Sequence, residues 1–190
     1  MSLQLCARDQ ELEHSWRTAF SGCEGVTVVA GDILSLEADA LVSPANSFGF
    51  MDGGLDLIYS QHFGWELEGR VRARILEAFH GELPVGRALV VPTEHPRVPW
   101  LISAPTMRVP MRIEHTPNAY LAFRAVLIEA LAHPGIHRVL CPGLGTGVGR
   151  MPPDRCARQM RAAHDAILGG QPLRKGGLAA AVRHHMHLIE

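Results

Sequence analysis

The sequence predicts an α/β protein with a largely parallel sheet, and three observations carry that reading. Short apolar runs alternate with stretches of helical period along the chain. The runs Val26–Ala30 and Ala40–Val42, and the second half of His137–Cys141, are almost continuously apolar, as in strands covered on both faces. Two glycine-rich loops each follow one of these runs and precede a helical pattern, which places both at the carboxyl edge of the sheet, where open α/β folds take their ligands.

Each element has its own signal. A short strand around Leu3 and Leu5 leads into a helix over 9–19, with Leu12, Trp16, Ala19 and Phe20 on one face; Ser21-Gly22 ends it. Val26–Ala30 reads as a buried strand, followed by Gly31-Asp32-Ile33, and Ala40–Val42 as the next. A helical pattern spans 55–79 with a break at Phe63-Gly64, and its apolar positions Leu67, Val71, Ile75, Leu76 and Phe79 form a core face. Strands are expected over 87–91, entered through Pro84-Val85-Gly86, and over 100–104, closed by Pro105. A helix over 118–132 follows, with Thr116 as its N-cap and Pro117 in its first turn. After the 137–141 strand comes a helix over 153–168, opened by Pro152-Pro153. The segment from Gly169 ends in a tail bearing His184, His185 and His187; without a carboxylate or cysteine at ligand spacing, the tail reads as a solvated helix, and no metal site is expected.

Composition narrows the function. A chain of 190 residues with no internal repeat or dividing linker reads as one domain, residues 1–190, with a core over about 26–168 and an extension at each end. The 18 basic and 19 acidic residues give a net charge of −1, which argues against nonspecific binding to long nucleic acid. No apolar run approaches the roughly 20 residues that would span a membrane, and the N-terminus lacks the pattern of a secretory signal. Cys6, Cys23, Cys141 and Cys156 have no CxxC spacing and read as reduced thiols of a cytoplasmic protein.

The chain is organised around Ser43–Asp56, SPANSFGFMDGGLD, a strand end, a loop and a helix start. Gly53 and Gly54 let the backbone take positive φ and let a ligand come close, and the N–H groups of the helix beyond suit an anion. Asn46 and Asp56 are the polar side chains this loop can direct at one ligand. The second loop, Gly143–Arg150 (GLGTGVGR), is neither a Walker A sequence nor GxGxxG, because Val148 stands where the third glycine belongs. Its N–H groups could still cradle a diphosphate, or its glycines could mark a plain tight turn. Asp32 reads first as a turn or N-cap residue, with a buried carboxylate receiving an exocyclic amine as the alternative; Asp56 reads equally as a first-turn acid or as a group that handles water.

Together, Gly31-Asp32-Ile33 after a strand, SPANSFGFMDGGLD, and PGLGTGVGRMP before a helix resemble the macrodomain family, over roughly Val26 to Leu168. The resemblance implies a three-layer α/β/α sandwich around a mixed sheet, with ADP-ribose in a cleft at the strand carboxyl ends. It implies that Asp32 takes the adenine amine beside the N–H of Ile33, and that Asn46 holds the distal ribose. Gly53 and Gly54 would then pack on the diphosphate and distal ribose, and Leu144, Gly145, Thr146, Gly147 and Val148 would wrap the diphosphate. Asp56 falls on the acid linked to hydrolysis in the de-ADP-ribosylating branch, so Asn46 and Asp56 are the expected catalytic pair, with no cofactor. The expected activity is a hydrolase removing ADP-ribose from ester-linked acidic residues of a protein or from a small molecule; the alternative is a reader that binds without cleaving. Ser43 stands where the family's first asparagine does, Met51-Asp52 replaces half of its glycine run, and the usual aromatic after the second loop is absent, leaving Phe48 or Phe50 to stack. The loop 106–116, with Arg108 and Arg112, has no role in the family pattern and is expected to cover the cleft.

Overall fold

The computed structural model describes residues 1–170 and 177–190, so the stretch 171–176 lies outside the described residues. Six strands, β1 (Ser2–Ala7), β2 (Val26–Ala30), β3 (Ala40–Ser43), β4 (Leu89–Pro92), β5 (Trp100–Ser103) and β6 (Arg138–Cys141), form one sheet in the order β2-β1-β6-β3-β5-β4. All neighbours are parallel except β4 and β5. The helices are α1 (Gln10–Ala19), α2 (Gly54–Phe63), α3 (Glu66–Phe79), α4 (Asn118–Ala132), α5 (Pro153–Ile167) and α6 (Gly177–Ile189).

Side chains alternate across the sheet and build two cores. On one face Ala40, Val42, Ile102 and Val139 pack with Trp16 of α1, Phe123 and Leu127 of α4, and Met160 of α5. On the other, Leu41, Leu101 and Leu140 meet Tyr59 of α2 and Leu67, Val71 and Ile75 of α3. These are the three layers expected. All four cysteines are free thiols. Among the described residues no helix is long and apolar enough to cross a membrane.

Several expectations need correction. Val26–Ala30 is a strand but not a buried one: it lies at the sheet edge with no neighbouring strand beyond it among the described residues, and its residues are half-buried or exposed. β4 begins at Leu89 rather than 87, because Arg87 N donates to the Pro84 carbonyl at 3.0 Å and closes a turn. β4 is the antiparallel edge, where terminal Pro92 leaves no interior ladder bond unmade. Pro117, not Thr116, occupies the cap position of α4; the Thr116 hydroxyl accepts from Asn118 N at 3.3 Å and donates to the Ile113 carbonyl at 2.8 Å, stabilising the turn before the helix. Leu76 is 68% exposed and leaves the core face of α3. The histidine tail, by contrast, is the solvated helix expected, with His185 and His187 exposed; it docks at its end, where Gln159 Nε2 donates to the carbonyl of buried Leu188 at 2.8 Å.

Candidate functional site

A cleft of about 620 Å³ runs along the carboxyl edge of β2, β1, β6, β3 and β5. Asp32, Ile33, Asn46, Gly53, Gly54, Asp56, Gly145, Thr146, Gly147 and Val148 all line it. Leu144 does not: its side chain is buried in the core with Cys156 and Met160 of α5, and its carbonyl accepts from Cys156 Sγ at 3.5 Å.

The first loop is held by its own side chains. Asn46 Oδ1 accepts from Phe48 N (3.0 Å) and Phe50 N (3.3 Å), and Nδ2 donates to the Phe50 carbonyl at 2.7 Å. This Asx-type turn commits most of the amide to the loop and leaves one N–H for a ligand. Gly49, at φ 73°, lies so close to α3 that an added Cβ would sit 2.9 Å or less from Val71 and Ile75. Met51 inserts its side chain into the core, its N–H donating to Glu68 Oε2 (2.8 Å) and its carbonyl accepting from Ser60 Oγ (2.9 Å). Gly54 alone of the glycine pair needs its positive φ, 58°; Gly53 is extended.

Asp56, in the first turn of α2, is 6% exposed. Ser43 Oγ donates to its Oδ1 at 2.6 Å, so the residue standing in place of an asparagine holds the acid. Burial pushes the carboxyl up to about 7; the Ser43 bond opposes that rise and the charge of Glu68 adds to it. A carboxylic acid in that range exchanges protons near neutrality.

The second loop crosses the cleft toward the first, and a Cβ built at Gly54 would lie 3.8 Å from Val148. Gly145 has φ 76°, and its Cβ would meet Ile113 Cδ1 at 2.5 Å; that of Gly149 would meet the Gly145 carbonyl. Ile113 N donates to the Gly149 carbonyl at 2.7 Å. The 106–116 segment therefore braces the second loop from beneath, besides contributing Thr106, Met107 and Pro110 to the wall. Neither of its arginines lines the cleft: Arg108 pairs with Glu82 (2.7 Å) and Arg112 with Glu114 (2.6 Å).

Asp32 is exposed rather than buried, and it caps the short turn Ile33–Ser35 by accepting from Leu34 N at 2.9 Å. Both readings of this residue meet here, since it is a cap and it lines the cleft. Phe50 lines the cleft and Phe48 does not. Arg8 and Asp9 were missed; the only available signal was their position directly after the first strand. Among the lining residues Arg8 alone is basic, whereas Asp9, Asp32, Asp52 and Asp56 are acidic. An anion in this cleft therefore has to be held chiefly by backbone N–H groups and helix starts.

The sequence model of the Macro domain family matches residues 42–160. An uncharacterized protein of Aquifex aeolicus is 35% identical over 135 residues, 71% of this chain and 78% of that protein. In structure, the macrodomain of Mycobacterium tuberculosis DarG is similar with TM-score 0.61 and 21% identity, over 71% of this chain and 86% of the other. An Oceanobacillus iheyensis macrodomain, a glycine-to-valine mutant solved with ADPR, gives TM-score 0.58 and 18% identity over 70% and 74%. The matched family region covers more than half of the chain and contains both glycine loops and the acid at α2, so this chain belongs to the macro domain family.

Proposed function

We propose that the chain binds ADP-ribose in this cleft and hydrolyses it from ester-linked acidic residues of proteins or from small-molecule esters. The supporting observation is Asp56: a buried acid on the cleft wall, tuned to about 7 and held by Ser43 between the two glycine loops. Asp32 receives the adenine amine beside the Ile33 N–H. The diphosphate lies between Gly53-Gly54 and Gly145–Val148, and the free N–H of Asn46 meets the distal ribose. Asp56 takes a proton from a water whose oxygen attacks the anomeric carbon. The ester C–O bond breaks, and the acidic side chain leaves as a carboxylate with the electron pair. Loop N–H donors stabilise the charge that develops as this bond breaks.

A reader that binds without cleaving has one observation in its favour: Asn46 spends most of its amide, and Asp56 one oxygen, on bonds within the protein. Incubation with a glutamate-linked mono-ADP-ribosylated protein separates the two. Release of ADP-ribose by wild type, and its loss in Asp56→Ala with binding retained, is the expected result. Calorimetric binding without release supports the reader, and turnover surviving in Asp56→Ala removes Asp56 from the chemistry.

A further inference from the structure

The first loop is tied to a helix that contributes nothing to the cleft wall. Glu68 and Arg72 lie one turn apart on α3, and neither lines the cleft. Glu68 Oε2 accepts the Met51 N–H at 2.8 Å, and its Oε1 pairs with Arg72 at 3.6 Å. The Arg72 guanidinium lies 4.5 Å over the ring of Phe50, whose backbone is in turn held by Asn46. Asn46, Phe50, Arg72, Glu68 and Met51 thus form a closed circuit from the cleft out to α3 and back.

We propose that Glu68 is a positioning residue for the cleft: from α3 it clamps the first loop at Met51 and so holds the glycine pair and the start of α2 beside the ligand. The inference rests on the reading of Asp56 as the reacting acid.

The clamp is directional. Met51 is fixed at three points: its N–H by Glu68, its carbonyl by Ser60, and its side chain by the core. A loop pinned there has little freedom to carry Asp52, Gly53 and Gly54 away from a ligand. The groups that bear on Asp56 are Ser43 from β3, which donates to it, Tyr59 from its own helix, and Glu68 from α3. Glu68 is thus the charged neighbour, and like charge favours the protonated acid. Its partner Arg72 is half-exposed and neutralises it only in part. Glu68 therefore helps keep Asp56 able to take and return a proton near neutral pH.

The test separates the clamp from the charge. Glu68→Gln keeps an oxygen that can accept from Met51 N but removes the charge; Glu68→Ala removes both. The carboxyl carbon of Asp56 is titrated by NMR in the ligand-free full chain, so this readout needs no activity. The expected result is a midpoint lowered by about half a pH unit or more in Glu68→Gln, with ADP-ribose affinity by calorimetry unchanged. Glu68→Ala lowers the midpoint as well and weakens ADP-ribose binding roughly fivefold or more through the released loop. The acid limb of the hydrolysis pH profile moves down with the midpoint in both variants. An Asp56 midpoint that is the same in wild type and both variants overturns the electrostatic part, and equal affinity in all three proteins overturns the clamp. If wild type releases no ADP-ribose, the hydrolase reading falls, while titration and calorimetry still decide what Glu68 does.

Discussion

Asp56 is an acid that the fold holds where its charge is disfavoured, with one hydroxyl for company. An acid whose proton affinity is raised on folding lends stability at low pH, and that contribution is lost as pH climbs from its unfolded value of 3.8 to about 7. Asp56→Asn keeps an oxygen to accept from Ser43 and cannot ionise. The variant is expected to gain on wild type as pH rises through this window, by up to about 4 kcal/mol at pH 8. Urea unfolding of both proteins at pH 4 and pH 8 measures it, and a difference independent of pH would show that Asp56 titrates normally. Asp32 differs in kind: exposed and already capping a turn, it is expected to lose ADP-ribose affinity as Asp32→Ala while Asp32→Asn keeps the cap. Equal affinity in Asp32→Ala and wild type would remove it from the adenine contact.

The second glycine loop carries glycine for two different reasons, and substitutions tell them apart. At Gly145 a side chain would be strained by φ 76° and would strike Ile113 beneath the loop. Gly145→Val is therefore expected to cost stability as well as binding. A Cβ at Gly147 meets nothing within 4 Å, and this residue lines the cleft. Gly147→Val is expected to leave the melting temperature near that of wild type while removing ADP-ribose affinity. Thermal unfolding and calorimetry on the pair check this, and undiminished affinity in Gly147→Val would move the ligand elsewhere. Ile113 is the reverse face of the same arrangement. It is 1% exposed, and Ile113→Ala is expected to cost about 2–5 kcal/mol in stability while loosening the second loop above it. Unchanged urea unfolding would mean that the loop is held from elsewhere.

Across the whole molecule, the cleft exists because the strand order brings together ends that are remote in the chain. β1 lies between β2 and β6, so Arg8, Asp32 and the loop after Cys141 share one edge. β3 lies between β6 and β5, which sets the first loop against the second and puts Thr106 and Met107 on the far wall. A ligand that spans the edge contacts several strand ends at once, so ADP-ribose is expected to raise the melting temperature in a concentration-dependent way. A melting temperature that stays flat across millimolar ADP-ribose would argue against binding in this cleft.

Local pattern was enough for the alternation of elements, the break at Gly64 and the two loops, because apolar period, paired glycines and prolines act within a few neighbours, and the family resemblance added ten of the residues that line the cleft. It did not reach the exposure of β2, which depends on a sheet edge, or the burial of Leu144, which depends on where α5 packs. Nor did it reach the task of the 106–116 segment, whose Ile113 supports glycines more than thirty residues away. Asn46 and Asp56 could be named from the sequence as the polar residues of the loop. That the amide is largely spent on its own turn, and that the acid is buried and held by Ser43, was decided by tertiary packing. Burial and the field of distant charges set a side chain's chemistry, and neither is a property of the residues adjacent to it in the chain.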